Sequence, residues 1–171
     1  MTEPLFFALW PGTGARRSLE HLRRSLPRHG GREPHPADLH VTLAYLGAIP
    51  PARRVCAEQI AGGIRADPFE LRIDTLGHWR RPGILWCAPS VIPAPLLNLF
   101  ASLNGGLAAC GVTLEPRRFK PHITLARKVP HGLRGAELEA FDWPVSDFVL
   151  AAGRQGRRPR FRILARWALR S

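Results

Sequence analysis

The chain has 171 residues, of which 45% are hydrophobic and 22% charged, enough apolar content for one packed domain and too much for a disordered chain. Its formal net charge of +12 puts a polyanion such as RNA or DNA first among partners. Because 23 of the 25 basic residues are arginine and 17 residues are proline, part of that charge reads as compositional drift.

The opening MTEPLFFALWPG has only a short apolar run, no basic segment ahead of it and an early Pro-Gly stop. Neither a signal peptide nor a membrane span is expected, and the expected location is the cytoplasm. Leu5 to Trp10 suits a buried strand. ARRSLEHLRRSL follows, with Leu19, Leu22 and Leu26 at helical spacing. After the loop PRHGGREPHPAD, Leu39 to Leu46 is a strand closed by Gly47, and ARRVCAEQIAGGI is a second helix. Phe69 to Trp79 reads as one strand and ILWCA as its hairpin partner. Ala94 to Cys110 is a long helix, RRFKPHITLAR brings another strand, and Phe148 to Gly153 and Phe161 to Leu169 are two more, joined by the arginine-rich RQGRRP; the cluster Arg157-Arg158-Pro159-Arg160 is expected to be a solvated loop and not a reader of sequence. Helices alternating with hairpin-like pairs give an α+β class with mainly antiparallel sheets. Cys56, Cys87 and Cys110 are odd in number, widely spaced and without a CxxC pair, so they read as reduced thiols and not as a disulfide or zinc framework.

Two stretches repeat. HVTLAYLG begins at His40 and HITLAR at His122, 82 positions apart (122 − 40 = 82), a spacing that fits two halves of one domain. Side chains alternate along a strand, so His40 shares a face with Thr42, and His122 with Thr124, while the aliphatic residues turn away. If the halves are related by an approximate two-fold axis, two imidazoles and two hydroxyls surround one small volume. Hydrolysing a phosphodiester needs a base for the attacking water and an acid for the departing oxygen, and histidine suits both roles near neutral pH. The hydroxyls can donate to the non-bridging oxygens, where charge develops. One such motif alone would read as structural; it is the polar pair occurring twice that points to chemistry. Zinc would want a third ligand at close spacing, and no cysteine stands beside a histidine as a nucleophile would. No GxxxxGK or GxGxxG loop is present, and His21, His29, His35, His78 and His131 read as surface or packing residues.

Together LFFAL, DLHVTLAYLG, LGHWRRPGILW, RRFKPHITLARK and ARWAL, in that order along nearly the whole chain, resemble the two-histidine phosphoesterase superfamily, and within it the RNA 2′,3′-cyclic phosphodiesterases, also known as 2′-5′ RNA ligases. The resemblance implies one two-lobed phosphoesterase domain over residues 1–171: bilobal, two pseudo-symmetric halves, each with a mainly antiparallel sheet and helices outside, around a V-shaped cleft. It implies His40 as proton donor to the leaving ribose oxygen, His122 as proton acceptor from water, and Thr42, Thr124 and Arg127 as phosphate contacts. Neither metal nor cofactor is implied. The partner would be RNA ending in a 2′,3′-cyclic phosphate, tRNA halves or small nucleotides included, acted on by a monomer that leaves a 2′-phosphate. Trp79 could stack on a base or serve as a core aromatic. Two positions depart from the family pattern: Tyr45 where phenylalanine is common, and Phe161 where an aromatic hydroxyl is frequent. Rival readings are hydrolysis of other cyclic or 2′-5′ linked nucleotides, RNA ligation in the cell, and a protein that holds RNA ends without cleaving them.

Overall fold

A computed structural model describes residues 2–171. In chain order it has β1 (Leu5–Leu9), α1 (Thr13–Ser25), a 3-10 turn (Pro36–Asp38), β2 (Val41–Gly47), α2 (Pro51–Gly63), β3 (Phe69–Ile73), β4 (Thr75–Trp79), β5 (Ile84–Ala88), α3 (Ala94–Ala109), β6 (Ile123–Ala126), β7 (Phe141–Val145), β8 (Asp147–Gly153) and β9 (Phe161–Ala168). Seven strands form one antiparallel sheet in the order β4-β5-β6-β2-β1-β8-β9, and β3 pairs with β7 in a second, two-stranded sheet. The large sheet is two smaller ones joined where β2 meets β6, at the single register pair Val41↔Ile123. One lobe therefore takes its strands from both ends of the chain (β2-β1-β8-β9) and the other from the middle (β4-β5-β6), so the lobes interleave in sequence and do not follow one another.

The apolar run of β1 is buried on both faces because each face has a separate task. Leu5, Phe7 and Leu9 enter the main core with Leu19 and Leu22 of α1, while Phe6, Ala8 and Trp10 form a smaller cluster with Val149 and Ala151 of β8. That second cluster lies on the side of the sheet that carries the motif histidines, since Phe6 and Trp10 both touch the His40 ring.

A β-bulge falls at the same place in both motifs. Phe7 pairs with Ala44 and Ala8 with Thr42, leaving Leu43 extra on β2; Leu85 pairs with Ala126 and Trp86 with Thr124, leaving Leu125 extra on β6. The extra residue lets consecutive Leu and Ala both face the core, which accounts for the repeated Thr-Leu-Ala, and it reverses the alternation beyond that point. Tyr45 and Arg127, the next residues, are thereby turned to the exposed face shared with the threonines.

Three expectations need correction. The segment Phe69 to Trp79 is two strands in different sheets, broken at Asp74, whose carboxylate accepts from Ser90 N at 2.7 Å, Ser90 Oγ at 2.6 Å and Thr75 Oγ1 at 3.1 Å. Strand β7, which contains Pro144, had no sequence signal strong enough to be seen. The cysteines are not all reduced: α2 packs against α3, which brings Cys56 and Cys110 to a Cα separation of 5.8 Å, within bridging range, and they form a disulfide. Cys87 remains a buried free thiol whose pKa is pushed up by burial. Among the described residues no helix is long and apolar enough to cross a membrane.

Thiol titration of the denatured, unreduced protein should find one reactive cysteine, rising to three after reduction; three before reduction would remove the α2–α3 bridge.

Candidate active site

His40 and His122 each sit one residue ahead of their strand, and each ring is fixed by the same device. Nδ1–H of His40 donates to the carbonyl of Asp38 at 2.6 Å, and Nδ1–H of His122 donates to the carbonyl of Lys120 at 2.7 Å, two residues upstream in both cases. A carbonyl can only accept, so Nδ1 carries the proton and the neutral rings keep their lone pair on Nε2. In His40 that nitrogen accepts from Thr42 Oγ1 at 3.1 Å. The antiparallel pair Val41↔Ile123 sets each histidine across from the threonine of the opposite strand, His40 by Thr124 and Thr42 by His122. All four line one cleft of about 450 Å³, together with Arg127.

Each ring is also backed by aromatics. Trp10 stacks on His40 with centroids 5.0 Å apart and planes 5° from parallel, Phe161 meets the ring edge-on at 5.3 Å and Phe6 lies at 4.9 Å. Trp79 stands edge-on to His122 at 4.5 Å and leans on Trp86. Trp86 can lie flat over β4 only because Gly77 is its cross-strand partner: a Cβ there would come within 2.1 Å of the indole ring. Trp79 is thus brought to the site as a neighbour of His122.

Burial pushes the His40 pKa down to about 4; the Asp38 backbone bond and carboxylate oppose the shift, and the Arg127 and His122 charges add to it. His122 is also lowered, by burial first and by Arg127, against its bond to the Lys120 carbonyl. Both rings are therefore neutral at pH 7. An anion in the cleft opposes that shift, since an opposite charge favours the imidazolium. Arg127 is itself partly desolvated and faces the like charge of Arg160, so its guanidinium too is better satisfied by an anion.

Asp38, the only carboxylate beside either motif, is 5% exposed and both its oxygens are engaged, accepting from the backbone N–H of Arg160 at 2.8 Å and Phe161 at 3.1 Å. It ties the start of β9 to the His40 motif and is not free to ligate a metal. Among the described residues no group of three or more His, Cys, Asp or Glu side chains is placed to hold one. The structure gathers His40, Thr42, His122, Thr124 and Arg127, sets Trp79 behind His122, and lines the cleft with Phe161. Sequence reasoning missed Asp38, Trp10 and Phe6, whose contacts with the motif have no local signature, and Tyr45, which strict alternation puts on the buried face. His35 was read as a surface or packing residue; it borders the cleft, and its Nδ1 accepts from Ala37 N at the start of the 3-10 turn. Arg157, Arg158 and Arg160 of the β8–β9 loop, expected to be solvated, border it as well.

The protein-family model of the 2′-5′ RNA ligase superfamily matches residues 10–155. The RNA 2′,3′-cyclic phosphodiesterase of Escherichia coli is 34% identical over 175 residues, covering 99% of both chains, and that of Thermus thermophilus is 28% identical over 97% of this chain and 90% of its own. Among solved structures, E. coli LigT complexed with 3′-AMP superposes with a TM-score of 0.91 at 31% identity over 99% of both chains. The MHV ns2 PDE domain, at 17% identity and a TM-score of 0.66, shares the fold.

The depressed imidazole pKa values carry a stability consequence. Between the ordinary histidine pKa near 6.5 and about 4, the unfolded chain binds more protons at His40 than the native one, so stability is full above that window and falls as pH drops through it. His122 acts in the same direction. His40→Gln should make the acid-side decline of Tm shallower across this window; an unaltered decline would contradict the burial of the ring.

Proposed function

The chain belongs to the 2′-5′ RNA ligase superfamily, and on that premise we propose that it hydrolyses the 2′,3′-cyclic phosphate at an RNA end to a 2′-phosphate without a metal ion. The observation that carries this reading is the pair of Nε2 nitrogens held on one cleft by matching carbonyl bonds at Nδ1. The phosphate lies between the strands, with Thr42, Thr124 and Arg127 contacting its non-bridging oxygens. Nε2 of His122 takes a proton from the attacking water as the new P–O bond forms. The P–O bond to the ribose 3′ oxygen breaks, and the imidazolium of His40 supplies the proton that oxygen needs. His122 ends protonated and His40 neutral, so one proton exchange with solvent resets the pair.

The assignment of donor and acceptor draws on the charged difference just ahead of the two histidines: at equivalent positions His40 has Asp38 and His122 has Lys120. A carboxylate favours an imidazolium, and an ammonium does not. Stacking on Trp10 favours the same charged form at His40. Uptake of the proton accompanies binding of the substrate's phosphate, which restores the pKa that burial has lowered. Trp79 is assigned to bracing His122 and not to stacking a base. We further take the whole chain to work as one two-lobed unit, as a monomer and in the cytoplasm, where RNA is its substrate. No thiol takes part, so the reaction is indifferent to the Cys56–Cys110 bond.

His40→Ala and His122→Ala should each lower turnover of a cyclic-phosphate-ended RNA about 10²- to 10⁴-fold, with smaller losses for Thr42→Ala and Thr124→Ala. The assay is run with chelator and excess substrate, the product's phosphate position being read by phosphorus NMR. Normal turnover in either histidine variant, or consumption of only one equivalent by the parent protein, would overturn the reading.

A further inference from the structure

The histidine cleft adjoins a second pocket, and the two, as arms of one larger depression, share His40, Thr42, Arg127, Arg160 and Phe161. One arm, of about 590 Å³, adds the apolar Pro4 and Phe6 and the ring of Tyr45, 62% exposed, beside Arg154 and Gln155. The other is bordered by Arg32, Lys128, Arg157 and Arg158, all exposed. Among the described residues none of these four cations lies within salt-bridge distance of a carboxylate. Of the two acidic residues lining this arm, Glu33 is held by Arg23 at 2.7 Å and His29 at 3.2 Å, and Asp38 by the backbone of Arg160 and Phe161.

The four cations are gathered by three separate constraints. Arg32 and Arg127 exchange backbone hydrogen bonds at 2.7 and 2.8 Å, which pins the long loop before β2 to the end of β6. That approach needs a glycine at position 31, where a Cβ would lie 2.7 Å from the Arg127 carbonyl. Lys128 has a φ of 55°, uncommon for a side-chain-bearing residue and enriched at functional sites. The β8–β9 loop is closed at its base by Arg154 N to the Arg160 carbonyl at 2.7 Å and fastened to the His40 motif by Asp38.

We propose that this cationic arm seats the phosphodiester joining the terminal nucleotide to the rest of the RNA, so that the preferred substrate is an oligonucleotide and not a free nucleoside 2′,3′-cyclic phosphate. The inference rests on the phosphodiesterase reading. With the cyclic phosphate between the histidines, the terminal base suits the apolar arm, which sends the sugar-phosphate chain toward the arginines. Arginine forks fit the two free oxygens of a phosphodiester, and such contacts read no sequence.

The test compares adenylyl-(3′,5′)-adenosine 2′,3′-cyclic phosphate with adenosine 2′,3′-cyclic phosphate. The parent protein should show at least a ~10-fold higher kcat/KM on the dinucleotide, carried by KM. In Arg157→Ala/Arg158→Ala that ratio should collapse, and the dependence of the dinucleotide's log kcat/KM on log salt should flatten by about 1. Equal kcat/KM on both compounds in the parent, or a ratio preserved in the double variant, would overturn the arm and leave the phosphodiesterase standing. Turnover of neither compound by the parent would overturn the reading beneath it.

Discussion

The contact on which the site depends is the one place where the two lobes' strands touch. Val41 and Ile123 occupy equivalent positions in the two motifs and are each other's register partners. A pairing between equivalent residues of antiparallel strands is a local two-fold axis. Everything one motif does beside that axis, the other does across it: an imidazole before the strand, a carbonyl two residues upstream to hold its Nδ1–H, a hydroxyl two residues on, a bulge, and then a side chain returned to the cleft. In the proposed mechanism, an acid and a base on opposite sides of a phosphorus follow from the same short segment used twice.

The symmetry is broken where chemistry needs it. Asp38 faces Lys120 across the axis, Tyr45 faces Arg127, and the stacked Trp10 has as its counterpart the edge-on Trp79. His40 is the more enclosed ring, boxed by Phe6, Trp10 and Phe161, and burial holds its pKa well below that of an exposed histidine. In the role proposed for it, an acid that charges only when an anion arrives costs little to keep neutral and cannot waste its proton on water. The same burial carries a cost at low pH, where the unfolded chain takes protons that the native one refuses.

Much of this was legible in the sequence, and what was not has specific causes. The duplicated His-x-Thr could be read because a strand's alternation is local: it fixes which residues share a face without reference to the rest of the chain. The β-bulges hid Tyr45, since strict alternation assigns it to the face of Leu43. Asp38 holds the backbone at Arg160 and Phe161, a contact spanning more than 120 positions that leaves no local pattern. The break at Asp74 depends on Ser90, a residue beyond the following hairpin. The Cys56–Cys110 pairing depends on how α2 lies on α3, across a sequence separation of 54. The interleaving of the lobes was hidden because the two halves suggested by the repeat exchange strands: β8 and β9 complete the sheet begun by β1 and β2.

The central claim is that both imidazoles are held as Nδ1–H tautomers with Nε2 open to one phosphate, and that only one of them becomes charged when the phosphate arrives. Long-range 15N–1H correlation spectra of the histidine rings, recorded near neutral pH with and without adenosine 3′-monophosphate, measure this directly. The account predicts two neutral rings protonated at Nδ1 in the free protein, with His40 alone gaining a second proton on binding. A ring protonated at Nε2 in the free protein, or two rings indifferent to the nucleotide, would contradict it.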